Sequence, residues 1–286
     1  MPLKVYKTIK KPFFSDHGGS EVRELLGDAF RSSLELLSVL PKVALISGVP
    51  NKQYFAFLSE ESNKRSRAVN AALFTPDFTE WEAFAAAMEA KDLNGLDSAR
   101  VTRLIYTVAI SFCCCVDLVH ERDNKTPGTF FEYLIAHLFA SRLGVNPQTS
   151  IQVLNLDNEQ TFLPTDFIFD LGDGRPKFHL PVKTSTRERV IQVWAHQRVL
   201  DGVFGAGRFF GTPVILTETK TDTRTGVVVE ICLPEQWRIY QMHIAQMKRV
   251  YYLDMPAAYI RLNEVFPPIH VKEFGEFFWE ADSLSP

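Results

Sequence analysis

Leu163-Pro-Thr-Asp166 and, seventeen residues beyond its acid, Lys183-Thr-Ser-Thr-Arg-Glu-Arg189 decide how this chain is read. Residues 166–171 and 178–183 both have the apolar content of strands, and Gly172-Asp-Gly-Arg-Pro176 between them is a turn. Side chains alternate along a strand. Phe178, Leu180 and Val182 therefore share one face, with His179, Pro181 and Lys183 opposite; Asp166, Ile168 and Asp170 share a face, with Phe167 and Phe169 opposite. An antiparallel hairpin sets the start of one strand beside the end of the other, so Asp166 and Lys183 meet. A surface salt bridge would satisfy that pair. What directs it towards chemistry is the Arg187-Glu188-Arg189 that follows, a donor and acceptor set suited to guanine and cytosine edges. Beside it, a carboxylate can hold a hard divalent cation, and an ammonium can stand against a phosphate and the attacking water.

Working outward, Thr126-Pro-Gly128 introduces a helix over about 129–143, with Phe131, Leu134, Ile135 and Leu138 on its core stripe and Gly144 ending it. Glu132 lies at the margin of that stripe, where a carboxylate either turns to solvent or reaches the same cation as Asp166. A strand is expected over 151–156. After the arginines, a helix running to about residue 200 places Val190, Val193, Trp194 and Gln197 on one face. Strands over 214–218 and 227–233, a helix over about 235–250 and a Pro-rich end complete this half. Before it the chain reads as helical: residues 20–41 capped by Ser20, about 77–91 with Trp81, Phe84 and Met88 on one face, and about 98–120, which looks almost wholly interior. The expectation is an α/β protein, a central mixed β-sheet flanked by helices, with a mainly helical N-terminal region over 1–125 and the core over 126–286.

At 286 residues and 46% hydrophobic the chain can bury a large core. A net charge of -3 and a pI near 6.2 do not advertise a nucleic-acid partner, although metal-binding acids offset a locally basic cleft. Lys64, Arg65 and Arg67 form one such basic cluster, either a solvated face or a contact to a phosphate backbone. Cys113, Cys114 and Cys115 are consecutive in an apolar run, a pattern of neither a disulfide framework nor a zinc site. With no signal-peptide pattern, the expected compartment is a reducing cytoplasm. The uncharged run between Arg103 and Asp117 is too short to span a bilayer, so no membrane partner is expected. A metabolic α/β enzyme is disfavoured because the chain has no nucleophile elbow, His-rich motif or phosphate-cradling loop; the glycines of 202–211 follow a helix, not a strand.

The pattern resembles the PD-(D/E)XK nuclease superfamily, and within it the restriction endonucleases similar to SsoII, PspGI and EcoRII, to which the CCGG-cutting group is related. Glu132, Asp166, Lys183 and Arg187-Glu188-Arg189 match, in order, that group's helix glutamate, strand aspartate, lysine and recognition segment. The resemblance covers roughly residues 128–202. It implies Mg²⁺-dependent cleavage of double-stranded DNA, Glu132 and Asp166 as metal ligands, a homodimer on a palindrome, reading of CC:GG pairs, and a cognate DNA methyltransferase as genetic partner. One feature departs from the pattern. The superfamily's acid two residues before the lysine is Pro181 here, and the group's substitute acid, about thirteen residues after the lysine, is replaced by His196 and Gln197. Gln197 would offer an amide oxygen to the cation, and His196 either little or a general base. Alternatives within the same fold are a repair or mobile-element nuclease and a DNA-binding protein with impaired catalysis.

Overall fold

A computed structural model describes residues 1–120, 123–156 and 159–284, with the side chains of 154–156, 159 and 188 outside the described set. The chain opens with helices Pro2–Ser15 (α1) and Ser20–Ser38 (α2), then four short strands, Lys42–Ser47 (β1), Tyr54–Ser59 (β2), Lys64–Arg65 (β3) and Val69–Asn70 (β4). Helices Phe78–Ala90 (α3), Ser98–Val119 (α4) and Lys125–Leu143 (α5) follow, then strands Gln148–Leu156 (β5), Glu159–Phe169 (β6), Lys177–Leu180 (β7) and Val182–Lys183 (β8). A 3₁₀ turn, Arg187–Arg189, leads into Val190–Phe204 (α6); strands Phe209–Gly211 (β9), Val214–Ile215 (β10), Thr219–Thr221 (β11) and Val227–Glu230 (β12) come next. Pro234–His243 (α7), Val250–Tyr252 (β13), Ala257–Ile260 (α8), Val271–Glu273 (β14) and Phe277–Leu284 (α9) complete the chain.

Local chemistry sets the helix ends. Asp77 and Asp97 cap α3 and α4, accepting from the N–H groups of Thr79 at 2.9 Å and Arg100 at 2.8 Å. Gly144, with φ of 71°, closes α5 in the left-handed region that a side chain resists. The central sheet is mixed. β5, β6 and β7 run antiparallel, β7 and β8 pair in parallel with β9 and β10, and β13 and β14 extend the parallel part. The pairs His179↔Gly211 and Val182↔Val214 keep one register, so β7–β8 and β9–β10 are two strands interrupted at Pro181 and at Thr212-Pro213.

Helices cover both faces of this sheet. On one, α4 and α5 are buried nearly all round, in a cluster that runs from Ile9 on α1 to Leu284 on α9. Helix α4 is long and apolar enough to cross a membrane by length and composition, contrary to the shorter span read from its uncharged run, but it is the interior helix of this core. Burial raises the Cys113 thiol to about 11 and the Cys115 thiol to about 12, which leaves both protonated and unreactive. On the other face, Trp194 of α6 and Trp237 of α7 pack against Tyr252 and Tyr259.

Several sequence expectations change. The region 1–125 carries β1–β4, and the expected strand at 227–233 is β12, which pairs with β1 through Ile46↔Val227 in a second sheet rather than joining the core. Lys52 fastens that second sheet to the first, donating to Glu230 at 2.7 Å, Asp254 at 2.6 Å and the Met255 carbonyl at 2.9 Å. The strand expected over 214–218 shrinks to two residues, and the helix expected over 235–250 ends at His243, because Gln241 turns to serve the backbone of Met247. Of the basic cluster, Arg67 is taken by Asp117 in a two-point ion pair with both contacts at 2.8 Å, so it is not free for a phosphate.

The ring of Phe139 on α5 stacks on Phe277 at 3.8 Å and ties α9 to the core. Phe139→Ala removes that ring from a fully buried site and is expected to cost about 3–5 kcal/mol. Urea unfolding checks this; a loss below about 1 kcal/mol would mean the stack contributes little.

Candidate active site

The site is built where the hairpin of β6 and β7 stops pairing. Its last pairs are Ile168↔His179 and Phe167↔Leu180, and the next residue, Pro181, has no N–H to give. The strand resumes at Val182, whose N–H is met at 2.8 Å by the side-chain Oδ2 of Asp166 instead of a backbone carbonyl. The same oxygen accepts from Lys183 Nζ at 2.5 Å. The acid and lysine expected to meet do meet, and the proline standing where an acid was expected is what turns Asp166 into a strand-end acceptor.

Two helices bring further groups to this point from opposite layers. Glu132 of α5 has its carboxyl raised to about 7, first by burial and then by the Asp166 charge, with Lys183 opposing. His196 of α6 is held below the usual imidazole range by burial, and it too feels Asp166 and Lys183. Glu132 and His196 thus each lie near enough to the Asp166–Lys183 pair for its charges to act on them. Among the described residues, no group of three or more His, Cys, Asp or Glu is spaced to hold a metal ion. The donor set is nevertheless of the right chemistry for a small hard cation, which binds through one or two carboxylates while keeping waters and substrate phosphate oxygens as its other ligands. Both protein bonds to Asp166 use Oδ2.

Gln197 does not belong to the site. It is completely buried, its Oε1 faces His179 Nδ1 at 3.0 Å, and its Nε2 donates to Asp201 at 2.9 Å and to the Phe209 carbonyl at 3.0 Å. Its amide oxygen is already engaged and cannot serve a cation as expected from the sequence. His179, which the alternation placed on the face of Lys183, is also fully buried; burial lowers it to about 4, so it stays neutral.

The segment after Lys183 is a 3₁₀ turn at the head of α6. Arg187 adopts φ of 33° and spends Nη2 on the Thr219 carbonyl at 2.8 Å; Arg189 is exposed; the side chain of Glu188 lies outside the described set. A residue the sequence reading missed organises this turn. Glu218, completely buried, accepts from Ser185, Thr186, Arg187 and Tyr252. The signal was a charged residue closing the apolar run Val214-Ile-Leu216.

No protein-family model and no curated protein matches the sequence. Two solved structures are similar to the chain. The type IIP restriction endonuclease Kpn2I is 23% identical over 99% of this chain and 97% of its own, with a TM-score of 0.80. The restriction endonuclease PspGI, in a substrate DNA complex, is 14% identical over 72% of this chain and 77% of its own, with a TM-score of 0.41. The first of these establishes the fold: the chain has the mixed α/β architecture of a restriction endonuclease, as the sequence led one to expect.

The raised Glu132 carboxyl gives a signed stability prediction. The folded state keeps the proton longer than the unfolded chain, so this group's contribution is full below the ordinary value of 4.5 and is lost as pH rises through about 7. Glu132→Gln, which mimics the neutral form, is expected to leave stability of the metal-free protein little changed at about pH 5. At about pH 8.5 it should stabilise by on the order of 1–2 kcal/mol, allowing for water around a half-buried carboxyl. Urea midpoints at the two pH values in chelator check it, and equal effects at both would contradict it.

Proposed function

We propose that this chain is a sequence-specific double-stranded DNA endonuclease of the type II restriction class, hydrolysing phosphodiester bonds with Mg²⁺ at a palindrome containing CC:GG pairs. The observation that carries the reading is the Asp166–Lys183 pair at the strand break, 2.5 Å apart, with Glu132 and His196 sensing both charges and the arginine turn beginning four residues after Lys183. The fold shared with Kpn2I supports it.

In this reading Glu132 and Asp166 would hold the cation, which would supply Lewis-acid polarisation of the phosphate and of the attacking water. Lys183, beside Asp166, is suited to stabilise charge on the phosphate oxygens. His196, neutral near pH 7 and beside the pair, is suited to take a proton from water and takes the general-base role in place of a third acid. Gln197 holds α6 against His179 and so positions His196. Arg189 and Arg187 donate to guanine and Glu188 accepts from cytosine, with Arg187 steadied by the Thr219 carbonyl. A restriction role implies a cytosine methyltransferase encoded alongside.

Asp166→Ala and Lys183→Ala are each expected to abolish cleavage of phage DNA with Mg²⁺ while preserving cognate binding; sequencing the wild-type fragment ends gives site and overhang. Unchanged single-turnover cleavage in either variant would remove that residue from the mechanism. Specific binding without any cleavage by the wild type would favour a catalytically impaired DNA-binding protein, and structure-dependent nicking would favour a repair or mobile-element nuclease.

A palindrome read by one turn per subunit calls for a two-fold dimer. The surface we assign to it is that of α6. Ile191, Val199 and Val203 are 38%, 38% and 44% exposed along one face of the helix that begins at the reading turn. Pairing two such helices buries the stripe and sets the two turns about one axis. Sedimentation should give a wild-type dimer and a monomer for the Val199→Asp, Val203→Asp double variant; a wild-type monomer, free and on DNA, would contradict this.

A further inference from the structure

Glu218 is a carboxylate with no exposed surface and, among the described residues, no ion-pair partner. Buried carboxylates ordinarily sit against an arginine or lysine, since an unpaired one is costly to take out of water. This one is surrounded instead by five neutral donors. Ser185 Oγ donates at 2.8 Å, the Thr186 N–H at 3.1 Å to both oxygens, the Arg187 N–H at 3.2 Å and Tyr252 Oη at 2.9 Å; the Thr186 hydroxyl closes the set. Four of the five come from three consecutive residues, which link Lys183 to the arginine turn. The fifth comes from the next strand of the sheet, where Tyr252 pairs with Ile215.

The position of Glu218 is itself fixed by that sheet. The Leu216 N–H reaches the Lys183 carbonyl at 3.0 Å and the Thr217 N–H reaches the Thr184 carbonyl at 3.2 Å, so β8 and β10 deliver the acid to the turn in register. On its far side Thr219 offers its carbonyl to the Arg187 guanidinium at 2.8 Å. One residue thus gathers the backbone of 186 and 187, and its neighbour steadies the side chain of 187. Arg187 is held in a positive-φ conformation that a residue with a side chain rarely adopts unaided.

We propose that Glu218 is a positioning residue for sequence reading: its carboxylate clasps residues 185–187 in the conformation that sets Arg187 against the Thr219 carbonyl and leaves Arg189 exposed, and locks that turn to the strand carrying Lys183. A neutral side chain could fill the space, but only a group that accepts at both oxygens can seat two adjacent backbone N–H groups and two hydroxyls at once. The inference rests on the reading of 187–189 as the base-contacting turn, and it assigns the discrimination between sequences, not phosphate affinity, to this carboxylate.

The test uses Glu218→Gln and, as a milder change that keeps the carboxylate, Tyr252→Phe. Amide hydrogen exchange of Thr186 and Arg187 reads the clasp directly and needs no DNA. It is expected to accelerate by about tenfold or more in Glu218→Gln and by less in Tyr252→Phe. The ratio of cognate to single-mismatch duplex affinity is expected to fall by about tenfold in Glu218→Gln, with affinity for random duplex unchanged. Unaltered exchange would overturn the clasp. Accelerated exchange with full discrimination would overturn the specificity role. Equal loss on all duplexes would make Glu218 a merely structural residue. If Glu218→Gln fails to fold, the same two readouts on Tyr252→Phe decide, unaltered values overturning the proposal. A wild type that does not distinguish cognate from random duplex refutes the nuclease reading, and the exchange result still decides the clasp.

Discussion

Pro181 has no N–H, and much of the site follows from that missing donor. The antiparallel ladder between β6 and β7 ends at Phe167↔Leu180, and the first donor beyond the gap, Val182 N–H, is met by a side chain. A carboxylate that would otherwise rotate in solvent is thereby pinned at the strand end with one oxygen committed. Lys183 is the next residue, so its ammonium falls on the same oxygen. The parallel pairing of β8 with β10 is undisturbed by the gap, and it carries the registration onward to Glu218 and the arginine turn. Backbone satisfaction at one position thus sets the spacing between the Asp166–Lys183 pair and the arginine turn.

Such an arrangement needs a stiff support, because its charged groups are not arranged for stability. Among the described residues Glu132 makes no ion pair and buried Glu218 has no cationic partner, and Arg187 has a strained backbone. The compensating free energy lies in the layers on either side. Beneath α5, Phe139 stacks on Phe277, and Phe112 of α4 stacks on Phe130 at 3.9 Å. On the other face Trp237 lies over Tyr259 at 4.2 Å. Buried aromatic pairs of this kind contribute area and fixed geometry together. Catalytic and reading groups often sit where such support permits local cost.

The sequence revealed what depends on local pattern. The turn Gly172–Pro176, the alternation of 178–183 and the apolar stripe of α5 all report on their own neighbours, and all appear where expected. What it concealed depends on distant partners. The two-residue strands β3 and β4 have too few residues to display a period. The helical period of α7 runs on through buried Ala245 and Met247, although the chain has already turned. Gln197 and His196 are adjacent and both polar, yet a helix turns successive side chains by about 100°, which sends one into the interior and the other to the site. Glu218 looked like the end of a strand because its five donors lie on segments more than thirty residues away in the chain.

The pairing of β1 with β12 has a consequence for synthesis. Ile46 meets Val227, 181 residues later, and Lys52 meets Glu230 and Asp254. While the chain emerges from a ribosome, β1 and β2 can form their hairpin early, but the outer edge of β1 stays uncovered until most of the molecule has been made. An open strand edge is a template for foreign strands, and Ile46 adds apolar surface beside it. Lys42 at one end of that strand is a charged guard of the kind that blunts such edges. Truncated translation products that stop before β12 therefore present an unpaired edge that the finished protein hides.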